Sequence, residues 1–316
     1  KERRMRILIV GAGAVGGYFG GRLAQAGRDV TFLVRPRRAE ILRATGLVIR
    51  SPVGDFHLPS PQLTTAETLR EPFDLILLSC KAYDLADAME SFSGGVGAET
   101  TILPLLNGMA HIETLQSRFG AEKALGGLCM ISSTLGDDGA ILHLNTLHGL
   151  TFGELNGLRT ARIAAIAEQF AGAGFDARES AAIRQDMWDK WIFIAGLAGA
   201  TCLMRASVGD IVAAGAGDLA AGLFEQCAAI AAANGFPPGK AHIERTLGAL
   251  TEPGATTTAS MLRDIEAGAR IEADQILGDL LRRGGDEAGG HSLLRVAYAH
   301  AKAYETRRQR EAQASS

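Results

Sequence analysis

The sequence predicts a two-domain protein: an α/β domain built on a parallel, doubly wound sheet, then an all-α domain. Three observations predict it. Short continuous apolar runs alternate with helical stretches through the first half of the chain. Beyond about residue 181 those runs give way to long Ala- and Leu-rich stretches with apolar residues at i, i+3 and i+4. The chain has 316 residues, 47% of them apolar, enough for two cores of ordinary domain size. The expected domains are residues 5–179 and 180–306.

The elements follow in order. Residues 7–10 are apolar throughout, as in a central parallel strand buried on both faces. A glycine-rich turn follows, then a helix to about Ala26, stopped by Gly27. Residues 30–34 form a second strand. Pro36 suits a helix start and Gly46 a helix end. Leu75–Leu78 and residues 101–105 repeat the buried-strand pattern, and 125–131 and 150–152 are expected to continue the same sheet. The second domain then reads as helices at Ile183–Met204, 217–234, Lys240–Leu250, 257–267, 272–283 and 291–303. Breaks fall at Gly235-Phe236-Pro237-Pro238, Pro253-Gly254 and Gly284-Gly285. The polar end, 307–316, is expected to fray.

Composition excludes several functions. Thirty-two basic against 35 acidic residues leave a net charge of −3, unsuited to nucleic acid as main partner. Four cysteines form no C-x-x-C pair and read as buried thiols of a reducing compartment. No stretch approaches the ~18 apolar residues of a membrane span. Lys1-Glu2-Arg3-Arg4-Met5 leads into a strand with no apolar leader, so a cytoplasmic location is expected. His143 and His148 lack a third ligand, and no metal site is expected.

Gly11-Ala12-Gly13-Ala14-Val15-Gly16 fits G-x-G-x-x-G between a buried strand and a helix, the context that gives the pattern meaning. Gly11 permits the tight turn, Gly13 admits a pyrophosphate close to the backbone, and Gly16 lets helix pack on strand. The helix N-terminus offers its free N–H groups to phosphate. The first domain therefore reads as a Rossmann-type dinucleotide-binding fold. At the end of the second strand, where NAD-binding folds carry a carboxylate for the ribose, stands Arg35, followed by Arg37 and Arg38. Guanidinium binds a 2′-phosphate bidentately, so NADP(H) is the expected cofactor, with Arg35 as its main contact.

With these residues in view, the sequence resembles the ketopantoate reductase (2-dehydropantoate 2-reductase) family over residues 5–305. The resemblance rests on short segments in matching order. Leu33-Val34-Arg35 is similar to the family's NADP-selecting segment, and Ser79-Cys80-Lys81-Ala82-Tyr83 to its "K-A" strand end. Leu106-Asn107-Gly108-Met109 resembles "N-G-M", and Trp188-Asp189-Lys190-Trp191 resembles "W-x-K". Ser260-Met261-Leu262-Arg263-Asp264 resembles "S-M-x-x-D", and Glu272-Ala273-Asp274 resembles "E-I-D". The resemblance implies Lys81 near the cofactor and Asn107 touching cofactor and substrate. It also implies Lys190 and Glu272 as catalytic residues and Ser260 on the substrate carboxylate.

The chemistry agrees with those residues. Ketone reduction needs a hydride donor, supplied by nicotinamide, and a cation or acid at the carbonyl oxygen. Lysine, with an ordinary pKa of ~10.4, can be both. Lys81 and Asn107 each follow a buried strand, at the edge where open α/β sheets bind ligands. Ser260 and Glu272 would stand ~18 Å apart on one straight helix. Gly268-Ala269-Arg270 between them can break it, so that both reach one substrate.

The chain departs from the family where pocket asparagines are expected. Ile194 and Ala198 stand one and two turns after Lys190, and Val208 replaces a third. Arg205 is a candidate replacement anchor for a substrate carboxylate. The reading is NADPH-dependent reduction of a small-molecule 2-keto acid, ketopantoate or one less hydroxylated, in a more apolar pocket. A D-2-hydroxyacid dehydrogenase on the same scaffold and a non-catalytic NADP sensor are the alternatives. The Ala-rich stretch 219–233 suits packing in its own domain or against a second copy in a homodimer.

Overall fold

The computed structural model describes residues 4–285 and 290–314. The chain forms two compact units. The first runs to Leu106 and resumes over His111–Arg184, and the second comprises Asn107–Ala110 and everything from Gln185 onward.

In the first unit β1 (Arg6–Val10), β2 (Asp29–Leu33), β5 (Gln62–Thr64), β6 (Leu75–Leu78) and β7 (Thr101–Pro104) form a sheet in the order β5-β2-β1-β6-β7. Every neighbouring pair is parallel. The strand order reverses beside β1, and such a switch point opens a crevice beyond the carboxyl ends of β1 and β6. Alternation along the strands feeds two cores. Ile7, Ile9, Phe32, Leu75 and Leu77 point to one face, and Leu8, Val10, Ile76 and Leu78 join Phe92 and Leu115 on the other.

Residues 125–131 and 150–152 do not extend this sheet, contrary to the sequence reading. They lie in β8 (Gly126–Leu135) and β9 (Ile141–Gly153), which pair antiparallel in a second sheet. The intervening turn, with Gly139 at φ +79°, holds too few residues for a parallel crossover, so the strands fold back on each other. β9 also takes β10 (Asp176–Glu179) and β3 (Leu47–Arg50), both parallel, and β4 (Phe56–Leu58) completes the edge antiparallel to β3.

Helix α1 (Ala14–Gln25) is gripped by both sheets. A Cβ on Gly20 would come 2.6 Å from Phe32 and 2.8 Å from Ile9 of the parallel sheet. On Gly21 it would come 2.7 Å from Ile49 and 2.9 Å from Leu47 of the second. Gly16 and Gly17 repeat the pair one turn earlier, against Ser79 and Ile141 respectively. The remaining helices of the unit are α2 (Pro36–Thr45), α3 (Leu85–Phe92), α4 (Ala110–Phe119) and α5 (Ala161–Phe170).

Among the described residues the second unit contains helices only. They are α6 (Ile183–Met204), α7 (Val208–Ala213), α8 (Gly217–Ala233), α9 (Lys240–Leu250), α10 (Ser260–Glu266), α11 (Asp279–Gly284) and α12 (Leu293–Ala314). A π-helical turn, Asp274–Gly278, leads into α11. Trp191, Phe224, Leu250, Leu277 and Leu280 are fully buried. Helix α7 escaped the sequence reading because it is short. It is fixed by a capping box, with Ser207 and Asp210 bonding each other's backbone N–H. The tail does not fray at 307. Arg308 Nε donates to Gly268 O at 2.7 Å, and Arg307 pairs with Glu311 one turn on, so α12 runs to Ala314. Among the described residues, no helix is long and apolar enough to cross a membrane.

Candidate active site

The glycine loop joins β1 to α1. Gly11 has φ +92°, a conformation that favours glycine, and its N–H donates to Leu33 O at 2.9 Å, tying the loop to the end of β2. A Cβ on Gly13 would meet nothing, so the backbone there is open to close approach. Gly13 is also the N-cap and brings no side chain to the first turn of α1. The N–H groups of Ala14, Val15 and Gly16 belong to that turn, which intrahelical bonding leaves unsatisfied. Together with Ala12, these residues form a cradle suited to a pyrophosphate. A Cβ on Gly16 would strike the Gly11 carbonyl and Ser79 Oγ, and the latter donates to Val10 O at 3.2 Å across the switch point.

Arg35 caps α2 at the end of β2 with its side chain 77% exposed, 3.7 Å from Asp84 Oδ1. Arg38 turns inward. Its Nη2 donates to Ala12 O (3.2 Å) and Gly139 O (3.0 Å), bracing the glycine loop against the β8–β9 turn. Burial lowers the pKa of this guanidinium. The sequence reading named Arg38 only as following Arg35 at the expected cofactor position and missed this role. Its place three residues after Arg35, on a helix lying over the loop, was the available signal. Lys81 follows β6, half-buried, at the start of a 3₁₀ turn (Ala82–Asp84). The loop, Arg35 and Lys81 thus all follow carboxyl ends of adjacent parallel strands.

Asn107 groups with the helical unit, and there it meets Lys190. Lys190 Nζ donates to Asn107 Oδ1 at 2.9 Å. Both residues are half-buried. Trp188 and Trp191, 2% and 0% exposed, flank the lysine in sequence with ring centroids 4.8 Å apart and planes tilted by 43°, and Phe236 stacks on Trp188 at 5.5 Å. This aromatic wall fixes the face of α6 from which Lys190 projects. A lysine ammonium only donates, so the acceptor end of the Asn107 amide is taken and its Nδ2 donors face elsewhere. Gln275, unremarked in the sequence reading, donates from Nε2 to Asn107 O at 2.7 Å.

The helix carrying Ser260 breaks as expected. α10 ends at Glu266, Gly268 has φ +67°, and Ala269 N–H returns to Asp264 O at 2.8 Å. Ser260 is the exposed first residue of α10, whose cap Ala259 donates its N–H to Thr201 Oγ1 at 3.3 Å. Glu272 is buried, 7% exposed, just ahead of the π-helical turn, and its carbonyl accepts from Ile276 N at 3.0 Å.

Along α6, Ile194 is half-buried and Ala198 buried, one and two turns past Lys190. Val208 is buried at the start of α7, its N–H bonded to Thr257 O. Arg205, the candidate substrate anchor, follows the end of α6, about 22 Å beyond Lys190 along the axis. It closes the helix. It sits at φ 55°, a position usually filled by glycine, and the following N–H of Ala206 bonds Thr201 O at 3.2 Å.

The two histidines are held by other groups. His143 Nδ1 pairs with Ser51 Oγ at 2.8 Å, and His148 Nδ1 with the Tyr18 hydroxyl at 2.7 Å. Burial pushes the Cys202 thiol up to about 12 and raises Cys227 further, so neither is a thiolate nucleophile.

Comparison with known proteins decides the family. The model of the ketopantoate reductase PanE/ApbA domain matches residues 7–157, and that of its C-terminal domain matches 182–305. The chain belongs to the ketopantoate reductase family. It is 39% identical over 302 residues to YkpB of Bacillus subtilis (strain 168), described as an uncharacterized oxidoreductase, spanning 95% of this chain and 99% of that one. It is 25% identical over 284 residues to a 2-dehydropantoate 2-reductase of Halobacterium salinarum, spanning 89% and 93%. A crystal structure of 2-dehydropantoate 2-reductase from Geobacter metallireducens GS-15 superposes with a TM-score of 0.85 at 30% identity, covering 94% and 99%. Members of the ketopantoate reductase family are nicotinamide-dependent reductases, and the chain is an oxidoreductase of the class acting on CH–OH groups.

Proposed function

We propose that this chain reduces a 2-keto acid to the 2-hydroxy acid with NADPH, and that its substrate is less hydroxylated than ketopantoate or bulkier. The observation that carries the reading is the Lys190–Asn107 hydrogen bond, a cation held by a neutral amide on the helical unit of a ketopantoate reductase fold.

A bound nicotinamide supplies the hydride to the carbonyl carbon. The chain's own residues do the rest. Gly11, Ala12, Gly13, Ala14, Val15 and Gly16 would cradle the pyrophosphate, Arg35 would pair with the 2′-phosphate, and Lys81 would hold the cofactor at the strand ends. The Lys190 ammonium donates to the carbonyl oxygen, stabilises the charge that grows there, and delivers the proton that completes the hydroxyl. Asn107 keeps Lys190 aimed and offers Nδ2 to the substrate. Ser260 accepts the role of carboxylate donor, and Glu272 that of a second polar contact at the reacting end. Ile194 and Ala198 replace hydrogen-bonding groups with apolar surface. A site without those donors gains little from a substrate hydroxyl, which favours an apolar keto acid.

Loss of NADPH absorbance with ketopantoate and with a panel of apolar 2-keto acids tests the reading. Turnover of an apolar keto acid at higher kcat/KM than ketopantoate is expected. Binding of NADPH without turnover of any member would sink the reductase reading and favour a sensor. A second reading, D-2-hydroxyacid dehydrogenase with NAD(H), draws on Asp84. Its carboxylate 3.7 Å from the Arg35 guanidinium already engages the cation a 2′-phosphate would need.

A further inference from the structure

Two adjacent residues of α6 reach two different partners. Lys190 Nζ donates to the side chain of Asn107, and Trp191 Nε1 donates to Ile276 O at 2.9 Å. Gln275, next to Ile276 on the π-helical turn, donates from its side-chain Nε2 to the backbone carbonyl of Asn107 at 2.7 Å. Helix, loop and π-helical turn therefore close a ring of three hydrogen bonds. The widened turn takes its carbonyls off the regular ladder, and π-turns of this kind cluster at functional sites.

We propose that Gln275 is a positioning residue for carbonyl reduction: it fixes the Asn107 backbone so that the Asn107 side chain holds Lys190 in place. The inference rests on the assignment of Lys190 as proton donor made above. The loop is shaped for this contact. Gly108 has φ +78°, and a Cβ there would come 3.0 Å from Gln275 O and 3.1 Å from its Nε2. A side chain at 108 would push the loop off Gln275. The donor chemistry is specific as well. The bond needs an N–H aimed at a carbonyl, which glutamine has, while an ionised glutamate of the same shape has none and leucine of similar volume has none. Asn107 is then held at both ends, its carbonyl by Gln275 and its amide by Lys190. Freeing one end lets the other turn.

The test compares wild type with Gln275→Leu and Gln275→Glu, using NADPH and the 2-keto acid panel. A reacting group displaced by ~1 Å loses up to ~100-fold in rate, so kcat is expected to fall at least roughly tenfold in both variants. NADPH affinity and thermal midpoint are expected to match wild type, with KM changed less than about threefold. A role confined to holding the fold would lower the thermal midpoint and leave kcat per folded molecule unchanged, and that result overturns the proposal. Crystal structures of the same proteins give a readout without turnover. Loss of the Lys190–Asn107 bond in either folded variant supports the proposal, and its survival in both overturns it. If wild type reduces no keto acid while the bond still depends on Gln275, the reductase reading fails and the positioning contact stands.

Discussion

Lys190 and Asn107 are separated by 83 residues of sequence and joined by a 2.9 Å hydrogen bond. A lone ammonium would sample many rotamers, and each would place its charge differently. One amide oxygen narrows that choice. Lys190→Ala is therefore expected to lower kcat by a hundredfold or more, the upper part of the general-acid range of ~10²–10⁴. NADPH affinity by fluorescence titration is expected to stay within about twofold, because the mutation removes a transition-state contact rather than a binding one. Asn107→Ala should fall between the two proteins.

Gly16 and Gly17 are neighbours on α1 but meet different obstacles. A Cβ on Gly16 strikes the fixed Gly11 carbonyl as well as Ser79 Oγ, whereas on Gly17 it strikes the flexible end of Ile141. Gly16→Ala is expected to cost about 1–3 kcal/mol, with Gly17→Ala costing clearly less. Denaturant unfolding of the two variants measures the difference. NADPH titration is expected to show weaker binding for Gly16→Ala alone, since its clash moves the loop.

Arg35 and Asp84 make opposite demands on a 2′-phosphate. Removing the cation by Arg35→Gln is expected to weaken NADPH binding about tenfold, one charge-assisted contact at a solvated site, while NADH binding holds. Asp84→Asn is expected to move the preference the other way. Equal effects of Arg35→Gln on both nucleotides would remove Arg35 from the 2′-phosphate site.

Acid sensitivity has a specific source in Glu154. Arg162 holds its carboxylate with two bonds of 2.6 Å, Thr160 adds a third, and these depress its pKa against the opposing effect of burial. A depressed carboxylate stabilises the fold above its unfolded pKa, and that contribution is lost as pH falls through the folded value. Glu154→Gln is expected to cost about 2 kcal/mol at neutral pH. The gap from wild type should narrow steadily below the ordinary glutamate value of about 4.3. A gap that is constant with pH would mean the loss is one of packing.

Local features of the chain were readable in advance. The buried runs of β1, β6 and β7, the glycine loop and the whole length of α6 follow from residues close in sequence. The break between Ser260 and Glu272 was legible because Gly268 marks it. Partnerships across distance were not. β8 and β9 look like further parallel strands until their short connection forces them to pair with each other, and β3 then joins them from far upstream. Gln275 meets a carbonyl 168 residues away, and nothing in its own neighbourhood announces it. Arg205 is a different case. Its charge drew attention, while its distance from Lys190 depended on whether α6 continued without a bend.

The seating of α1 has a kinetic consequence. Gly16 and Gly20 set the helix into the parallel sheet, and Gly17 and Gly21 set it against the second. Gripped on two sides, its N-terminal amides keep one direction before any nucleotide arrives. A receptor already in its bound shape gives up little conformational freedom on association. Nucleotide capture at this end then needs no slow ordering phase, and the amide protons in the body of α1, beyond its first turn, are protected from exchange already in the empty protein.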